Sequence, residues 1–136
     1  MKFKVGDWVI HGFEICQVTA ARNGVPTEVA NGGSRTSSGS GLACYPLTIA
    51  NKNIADSVAW WHKRFHGQPY HINYPDLYRR LVNYSERAMS VSDDPKAVEA
   101  ILKQLDEFCK KLWNYLRDQD TVTIDGFQVW GQGIRR

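Results

Sequence analysis

Residues 3–29 read FKVGDWVIHGFEICQVTAARNGVPTEV, and this segment specifies β-structure. Two short runs, at 8–10 and 15–20, are rich in apolar and β-branched residues and are bounded by turn residues, which is typical of strands. Gly6-Asp7 predicts a turn before the first run. The segment therefore favours a small antiparallel barrel or sheet at the start of the chain.

Asn23-Gly24 is a strong signal for a two-residue hairpin turn. It leads from the second strand into a third at 24–29. Pro26 lies inside this third strand, and proline cannot donate a ladder hydrogen bond. We therefore expect the third strand to lie at an edge of the sheet.

A Gly/Ser-rich segment, ANGGSRTSSGSG at 30–41, follows the third strand. Such a composition buries little apolar area and is typical of a flexible connection. It lacks the Gly-Lys-Ser/Thr sequence of a phosphate-binding loop. We interpret it as a long mobile hairpin connection, with a binding loop as the alternative. Residues 42–49, LACYPLTI, then predict a returning strand.

A first helix is predicted after residue 50, because large apolar residues recur at the spacing of one helix face. Its apolar stripe is Ile54, Val58, Trp61 and Phe65. Asn51 or Asn53 is a suitable cap for its start, and Gly67 is suited to end it.

Two further helices follow with the same apolar spacing. The second starts near Asn73 and has Pro75 in its first turn. Its stripe is Leu77, Leu81, Tyr84 and Ala88. The third has Asp94 as N-cap and Pro95 as its first residue. Its broad stripe comprises Val98, Ile101, Leu102, Leu105, Phe108, Cys109, Leu112, Trp113 and Leu116.

The last part of the chain predicts a β-hairpin, because a two-residue Asp-Gly turn separates two short alternating runs. In this register Ile124 pairs with Phe127 and Val122 pairs with Val129. A lone hairpin is only marginally stable in water. Its apolar face should therefore pack on the sheet or on the third helix.

Length and composition agree with one α+β domain. The chain has 136 residues, of which 43% are hydrophobic and 23% are charged, as in ordinary globular domains. We expect a β-rich part at 1–50, three helices at 51–118 and the hairpin at 119–136. No stretch approaches the ~20 apolar residues of a membrane span, and no signal peptide begins the chain. A soluble, cytoplasmic protein that does not bind membranes is expected.

The cysteines indicate a reducing compartment. Cys16, Cys44 and Cys109 are odd in number and far apart, unlike the paired cysteines of secreted domains. Each lies among apolar residues, so we interpret all three as small buried or half-buried thiols. Reactive cysteines need a more exposed, electropositive setting, and we predict no catalytic residue.

Neither a metal site nor a cofactor is predicted. His62 and His66 are spaced to share one helix face and could bind zinc with His71 or Cys44 as a third ligand. A metalloprotease helix needs Glu directly after the first histidine, and Lys63 occupies that position. Ligand spacing alone does not specify a metal centre.

The first third of the chain, 1–48, resembles the CarD-type RNA polymerase-interacting domain. The matching residues are Phe3, Val5, Gly6, Asp7, Val9, Ile10, His11, Val18, Tyr45 and Leu47. The resemblance implies an SH3-like or Tudor-like barrel and RNA polymerase as a partner. The chain departs from the family in the turn at 12–16, in the insertion at 30–41 and in the C-terminal hairpin.

Aromatic and basic residues alternate at 60–66, WWHKRFH. The helical period predicts that Trp61 and Phe65 lie in the core. It predicts that Trp60, Lys63 and Arg64 face the solvent. Such a surface can stack bases and contact phosphates. The candidate interface consists of Trp60, Lys63, Arg64, Arg79 and Arg80. The alternative is an ordinary solvated helix face beside core aromatics.

Charge and aromatic content bear on function in two ways. Residues 51–90 carry six Lys or Arg and three Asp or Glu, a modest basic excess. Trp8 and Trp130 are candidates for the edge of an aromatic groove, where exposed rings serve as binding hot spots.

Two functions follow from these features. The first is a non-enzymatic binding module for a protein or nucleic-acid partner, with a homodimer as a further possibility. The second is a small-molecule binding protein, or an enzyme with an aromatic pocket between sheet and helices.

Overall fold

The computed structural model describes residues 2–32, 36–66 and 74–115, together with the backbone of 122–124 and 127–129. Contacts divide the chain into two compact units, Met1–Asp56 and Ser57–Arg136. The elements are β1 (Trp8–His11), β2 (Glu14–Arg22), β3 (Val25–Asn31), β4 (Thr36–Ser38), β5 (Cys44–Pro46), α1 (Ile49–His66), α2 (Tyr74–Met89), α3 (Pro95–Tyr115), β6 (Val122–Ile124) and β7 (Phe127–Val129). The predicted α+β class is confirmed.

The first unit contains a five-stranded antiparallel sheet with the strand order β4-β3-β2-β1-β5. Its register places side chains from three strands on one face, where they form a buried cluster. The cluster consists of Val9, Cys16, Val18 and Val29, with Phe3, Ala21, Leu42 and Cys44 packed against it. Cys16 and Val18 are two residues apart on β2 and therefore lie on the same side of that strand.

The sheet is open rather than a closed barrel. Within residues 2–32 and 36–66, β4 and β5 are its two edges. Each of these strands has only three residues. The sheet alternative is therefore confirmed, and the barrel alternative is wrong for the described part of the chain.

The turns that shape the sheet follow the sequence closely. Asn23 and Gly24 have φ angles of 55° and 81° between β2 and β3, as a two-residue hairpin turn requires. The earlier turn at Lys4–Asp7 is closed by the Asp7 N–H, which donates to the Lys4 carbonyl at 3.1 Å. Gly6 supplies the φ of 96° within that turn.

The edge position predicted for the third strand is wrong. β3 lies between β2 and β4, yet Pro26 disrupts neither ladder. The Pro26 carbonyl accepts from the Leu42 N–H at 2.9 Å, and the N and C=O of one strand residue point to the same side. The proline nitrogen therefore faces the side where β4, which pairs only with Glu28, Val29 and Ala30, has already ended.

The segment at 30–41 is partly regular structure. β3 extends to Asn31 and β4 occupies Thr36–Ser38, so the prediction of one long mobile connection is wrong for these residues. Backbone pairing with β3 holds β4 in place, and serine and threonine side chains tolerate an exposed edge. Residues 33–35 lie outside the described residues.

The predicted strand at 42–49 is shorter than expected, because α1 begins at Ile49. The hydroxyl of Thr48 accepts from the Asn51 N–H at 3.0 Å and is therefore the N-cap. Asn51 lies inside the helix, 2% exposed, and its amide donates to the Pro46 carbonyl at 2.9 Å. The expectation that Asn51 or Asn53 caps the helix is wrong, whereas Gly67 lies outside the described residues.

The apolar stripes of the three helices are largely confirmed. The predicted stripe residues of α1 and α2 are all buried, and on α3 the buried ones are Leu105, Phe108, Cys109 and Leu112. The other described members of the α3 stripe, Val98, Ile101, Leu102 and Trp113, are half-buried. Asn73 and Leu116 lie outside the described residues. None of the described helices has the length and apolar character needed to cross a membrane.

The start of α3 and the terminal hairpin match their predictions. The Asp94 carboxylate accepts from the backbone N–H groups of Lys96 and Ala97, at 3.2 and 3.3 Å. In the hairpin, Val122 pairs with Val129 and Ile124 with Phe127. β6 contacts α3, in agreement with the second of the two packing alternatives. Whether the chain forms one domain stays a prediction.

Candidate functional site

Residues 60–66 of α1 divide into a buried side and an exposed side. Trp61 and Phe65 are buried, whereas Lys63 and Arg64 are exposed and Trp60 keeps 55% of its surface accessible. A helix turns by about 100° per residue, so adjacent aromatic residues point in different directions. The division predicted from the helical period is confirmed.

Arg64 joins two tryptophans on the surface of the second unit. Its Cζ lies 5.2 Å from the ring centroid of Trp60 and 4.4 Å from that of Trp113. Both distances are within cation–π range. We call Trp60, Lys63, Arg64 and Trp113 the tryptophan–arginine patch.

Buried rings support the patch from within the unit. Trp61 meets Trp60 edge-on, with ring centroids 4.8 Å apart, and stacks on Phe65 at 5.9 Å. Phe65 in turn packs against Trp113 at 5.7 Å. The contact with Trp61 orients the ring of Trp60, and the contact with Phe65 orients the ring of Trp113.

Among the residues that the structure describes, neither Lys63 nor Arg64 forms a salt bridge. The exposed carboxylate of Asp106 accepts from the Trp61 Nε1 at 2.9 Å. On α3, Lys110 and Trp113 are three residues apart and therefore share a helix face. The four residues of the patch thus include two cations and no carboxylate.

The structure places Arg79 and Arg80 with other partners. Arg79 forms an exposed salt bridge with Asp76, with Nη1 2.8 Å from Oδ1. The Arg80 Cζ lies 4.7 Å from the centroid of Phe108 on α3. Arg79 and Arg80 therefore contact residues of α2 and α3. The contacts that define the patch are those of Arg64 with Trp60 and Trp113.

His62 and His66 belong to an aromatic cluster between α1 and α2. Their rings are 5.6 Å apart, and His62 Nε2 hydrogen-bonds the Tyr74 hydroxyl. Tyr78 lies 5.8 Å from His62. Among the described residues no three His, Cys, Asp or Glu side chains are grouped to hold a metal ion. His71, proposed as a third ligand, lies outside the described residues.

Two contributors to these surfaces are not indicated by the sequence patterns. The apolar spacing of α3 predicts Trp113 as a core residue, yet it is half-buried and lies under Arg64. No sequence pattern pairs Tyr74 with the histidines, yet its ring lies within 6 Å of both. The spacing of Tyr74 and Tyr78, which puts both on one face of α2, is the signal that could have indicated this cluster.

Trp8 and Trp130 are the aromatic residues proposed for a groove edge. Trp8 lies on β1 in the first unit, where it pairs with Gln17 and is 51% exposed. Trp130 lies outside the described residues. The groove proposed from these residues stays a prediction.

The cysteines behave as small apolar residues. Cys16 and Cys109 are buried, Cys44 is half-buried, and these three described thiols form no disulfide. Burial, and to a smaller extent the neighbouring Asp106 carboxylate, raises the pKa of the Cys109 thiol far above its ordinary value. Cys109 is therefore an unreactive thiol at neutral pH.

Comparison with known proteins adds no relative to this description. No protein-family model, no curated protein and no solved structure matches the chain. The resemblance of 1–48 to CarD-type domains therefore stays a prediction.

Proposed function

We propose that this protein is a small non-enzymatic module that binds nucleic acid through the tryptophan–arginine patch. The observation that carries the proposal is the position of Arg64 across Trp60 and Trp113, next to Lys63 and without a salt bridge to any described residue. Cations that form no salt bridge with a described residue are available to phosphates, whose counterions are released on binding.

The planar guanidinium of Arg64 suits this role. With its Cζ over two indole rings, it has N–H groups at its edge that can donate to phosphate oxygens. Lys63 adds a flexible second cation on the adjacent position of α1. The aromatic floor at Trp113 holds Arg64 near one position, which lowers the entropy cost of binding.

A protein partner, including the RNA polymerase implied by the resemblance, is the competing proposal. Tryptophan and arginine are also common hot spots in protein interfaces. The positive charge of Lys63 and Arg64 favours an anionic polymer over a neutral protein surface. A strongly acidic protein partner would share that electrostatic preference, so the test includes an acidic competitor.

The test is fluorescence anisotropy with labelled DNA and RNA across a salt series. Binding should weaken as salt rises, and Lys63→Glu plus Arg64→Glu should abolish it at 0.1 M salt. Replacing each residue by alanine should flatten the dependence of log K on log salt by about 0.7–0.9 for each phosphate that is no longer neutralised.

A control with the same change of net charge uses Lys96→Glu on α3 plus Lys4→Glu in the first unit. Lys96 is seventeen positions before Trp113, about 25 Å along the helix axis, and Lys4 is an exposed residue outside α1 and α3, so this control should retain most of the binding. No binding by the unaltered protein at low salt would refute the proposal. Equal weakening in both double variants would show a nonspecific charge effect and would refute it as well. Displacement by polyglutamate at equal charge concentration would favour a protein partner.

A further inference from the structure

We infer that the nucleic acid bound at the tryptophan–arginine patch is single-stranded, and that Trp60 stacks on one of its unpaired bases. This inference rests on the proposed function, because it names the class of nucleic acid for the same site. It is carried by Trp60 itself, whose ring is exposed and fixed in orientation.

Core packing does not explain Trp60. The adjacent Trp61 already contributes an indole to the interior, where it is 6% exposed and hydrogen-bonded through Nε1. Trp60 instead keeps 55% of its surface accessible. An aromatic ring of this size has a large apolar area, so covering it with another ring would be favourable.

Two neighbours set the orientation of the Trp60 ring. Trp61 meets it edge-on at an interplanar angle of 86°, and the Arg64 guanidinium lies over it. These contacts restrict the side chain before any ligand arrives. A restricted ring loses less conformational entropy on binding than a freely rotating one.

The partner that fits such a ring is an unpaired base. In a duplex the base faces are covered by their stacked neighbours, and a protein reaches mainly the groove edges and the phosphates. In a single strand each base can offer a π-face to an aromatic side chain while the backbone contacts nearby cations. Trp60 supplies the ring, and Lys63 and Arg64 lie within about one helical turn of it on α1.

The patch also suggests limited sequence preference. Stacking is available to every base, and phosphate contacts carry no base information. The residues that would face the nucleic acid are the exposed ring of Trp60 and the two cations Lys63 and Arg64. Arg64 contacts Trp60, and Lys63 is its neighbour on α1. This small set fits a short segment of single-stranded nucleic acid.

The experiment compares Trp60→Ala, Trp60→Phe and a matched control, Trp8→Ala. Trp8 is a similarly exposed tryptophan, 51% accessible, on β1 of the first unit. Each variant is titrated with a single-stranded oligonucleotide and with a duplex of the same length. Circular dichroism and thermal unfolding confirm that each variant is folded.

Trp60→Ala should weaken single-strand binding by about 5- to 150-fold, the range found for removal of one stacking ring. It should weaken duplex binding much less than single-strand binding, because duplex bases cannot stack on the ring. Trp60→Phe should retain most of the single-strand affinity, and Trp8→Ala should match the unaltered protein. Binding of the single strand to the unaltered protein should also exceed binding of the duplex.

Two failures are distinguishable. If the charge-reversed variant loses binding but Trp60→Ala does not, or if Trp60→Ala weakens both substrates equally, the stacking inference is overturned while nucleic-acid binding stands. If the unaltered protein binds neither substrate at low salt, both the inference and the proposed function are overturned.

Discussion

The indole Nε1 of Trp61 donates a hydrogen bond to Oδ1 of Asp106 at 2.9 Å, linking residues 45 positions apart. Trp61 is buried while Asp106 is exposed, so the carboxylate remains hydrated as it satisfies the single polar atom of the indole. The bond ties α1 to α3 next to Trp60, which meets Trp61 edge-on. It therefore helps to hold the tryptophan–arginine patch in place.

Removing this acceptor should destabilise the protein. Asp106→Ala leaves the buried Nε1 of Trp61 without its acceptor, which should lower the free energy of unfolding by about 1–3 kcal/mol. Asp106→Asn keeps an acceptor oxygen, so its decrease in the free energy of unfolding should be smaller. Urea denaturation followed by tryptophan fluorescence measures both, with the exposed neighbour Glu107→Ala as control. Equal stability of the Ala variant and the control would show that the bond contributes nothing.

Glycine at position 24 is required by the backbone of the β2–β3 turn. Gly24→Ala places a Cβ 2.8 Å from Cγ of Lys2 and forces a residue with a side chain to a φ of 81°. The expected decrease in stability is about 1–2 kcal/mol. Gly32→Ala is the matched control, because a Cβ there meets no atom within 4 Å. In chemical denaturation, the free energy of unfolding of Gly32→Ala should be close to that of the unaltered protein. A larger loss of stability in Gly32→Ala than in Gly24→Ala would contradict the role assigned to the turn.

Asp94 should stabilise α3 as its N-cap. Its carboxylate accepts from the backbone N–H groups of Lys96 and Ala97, and replacing such a cap by alanine costs about 0.5–2 kcal/mol. Asp94→Ala should therefore lower the midpoint temperature of thermal unfolding. Asp94→Ser should keep most of the stability of the unaltered protein, because serine is also a good N-cap. Asp93→Ala removes the same charge one residue earlier and serves as control. A decrease of similar size in the control would assign the effect to the helix dipole rather than to the cap.

The three thiols should react at very different rates with iodoacetamide. Alkylation requires the thiolate, and the raised pKa of Cys109 keeps that residue protonated in the folded protein at neutral and mildly alkaline pH. Half-buried Cys44 should be modified first. At mildly alkaline pH, Cys109 should stay unmodified until the protein unfolds. Mass spectrometry of the labelled peptides checks the order, and early modification of Cys109 would disprove its burial.

The candidate site was predictable only in part. The helical period correctly assigned Trp61 and Phe65 to the core and Trp60, Lys63 and Arg64 to the surface, since exposure on one helix depends on local spacing. The contact of Arg64 with Trp113 was not predictable. It depends on how α1 and α3 pack, and the stripe on α3 placed Trp113 simply among apolar core residues.

Local chemistry within a few residues determined several elements of this protein directly. The Asn23-Gly24 turn, the Asp94 cap and the pairing of Ile124 with Phe127 each follow from neighbours along the chain, because φ preferences, capping and two-residue turns act over one turn of backbone. The apolar stripes of the helices follow from the same short-range periodicity.

Tertiary structure decided what depends on partners distant in sequence. It placed β3 inside the sheet despite Pro26, left β4 and β5 as open edges, and selected Thr48 rather than Asn51 as the cap of α1. It also brought Trp113 under Arg64 and Asp106 to Trp61. Strand order and helix packing are set by the burial of surfaces contributed from separate segments, and no local pattern encodes which segments will meet.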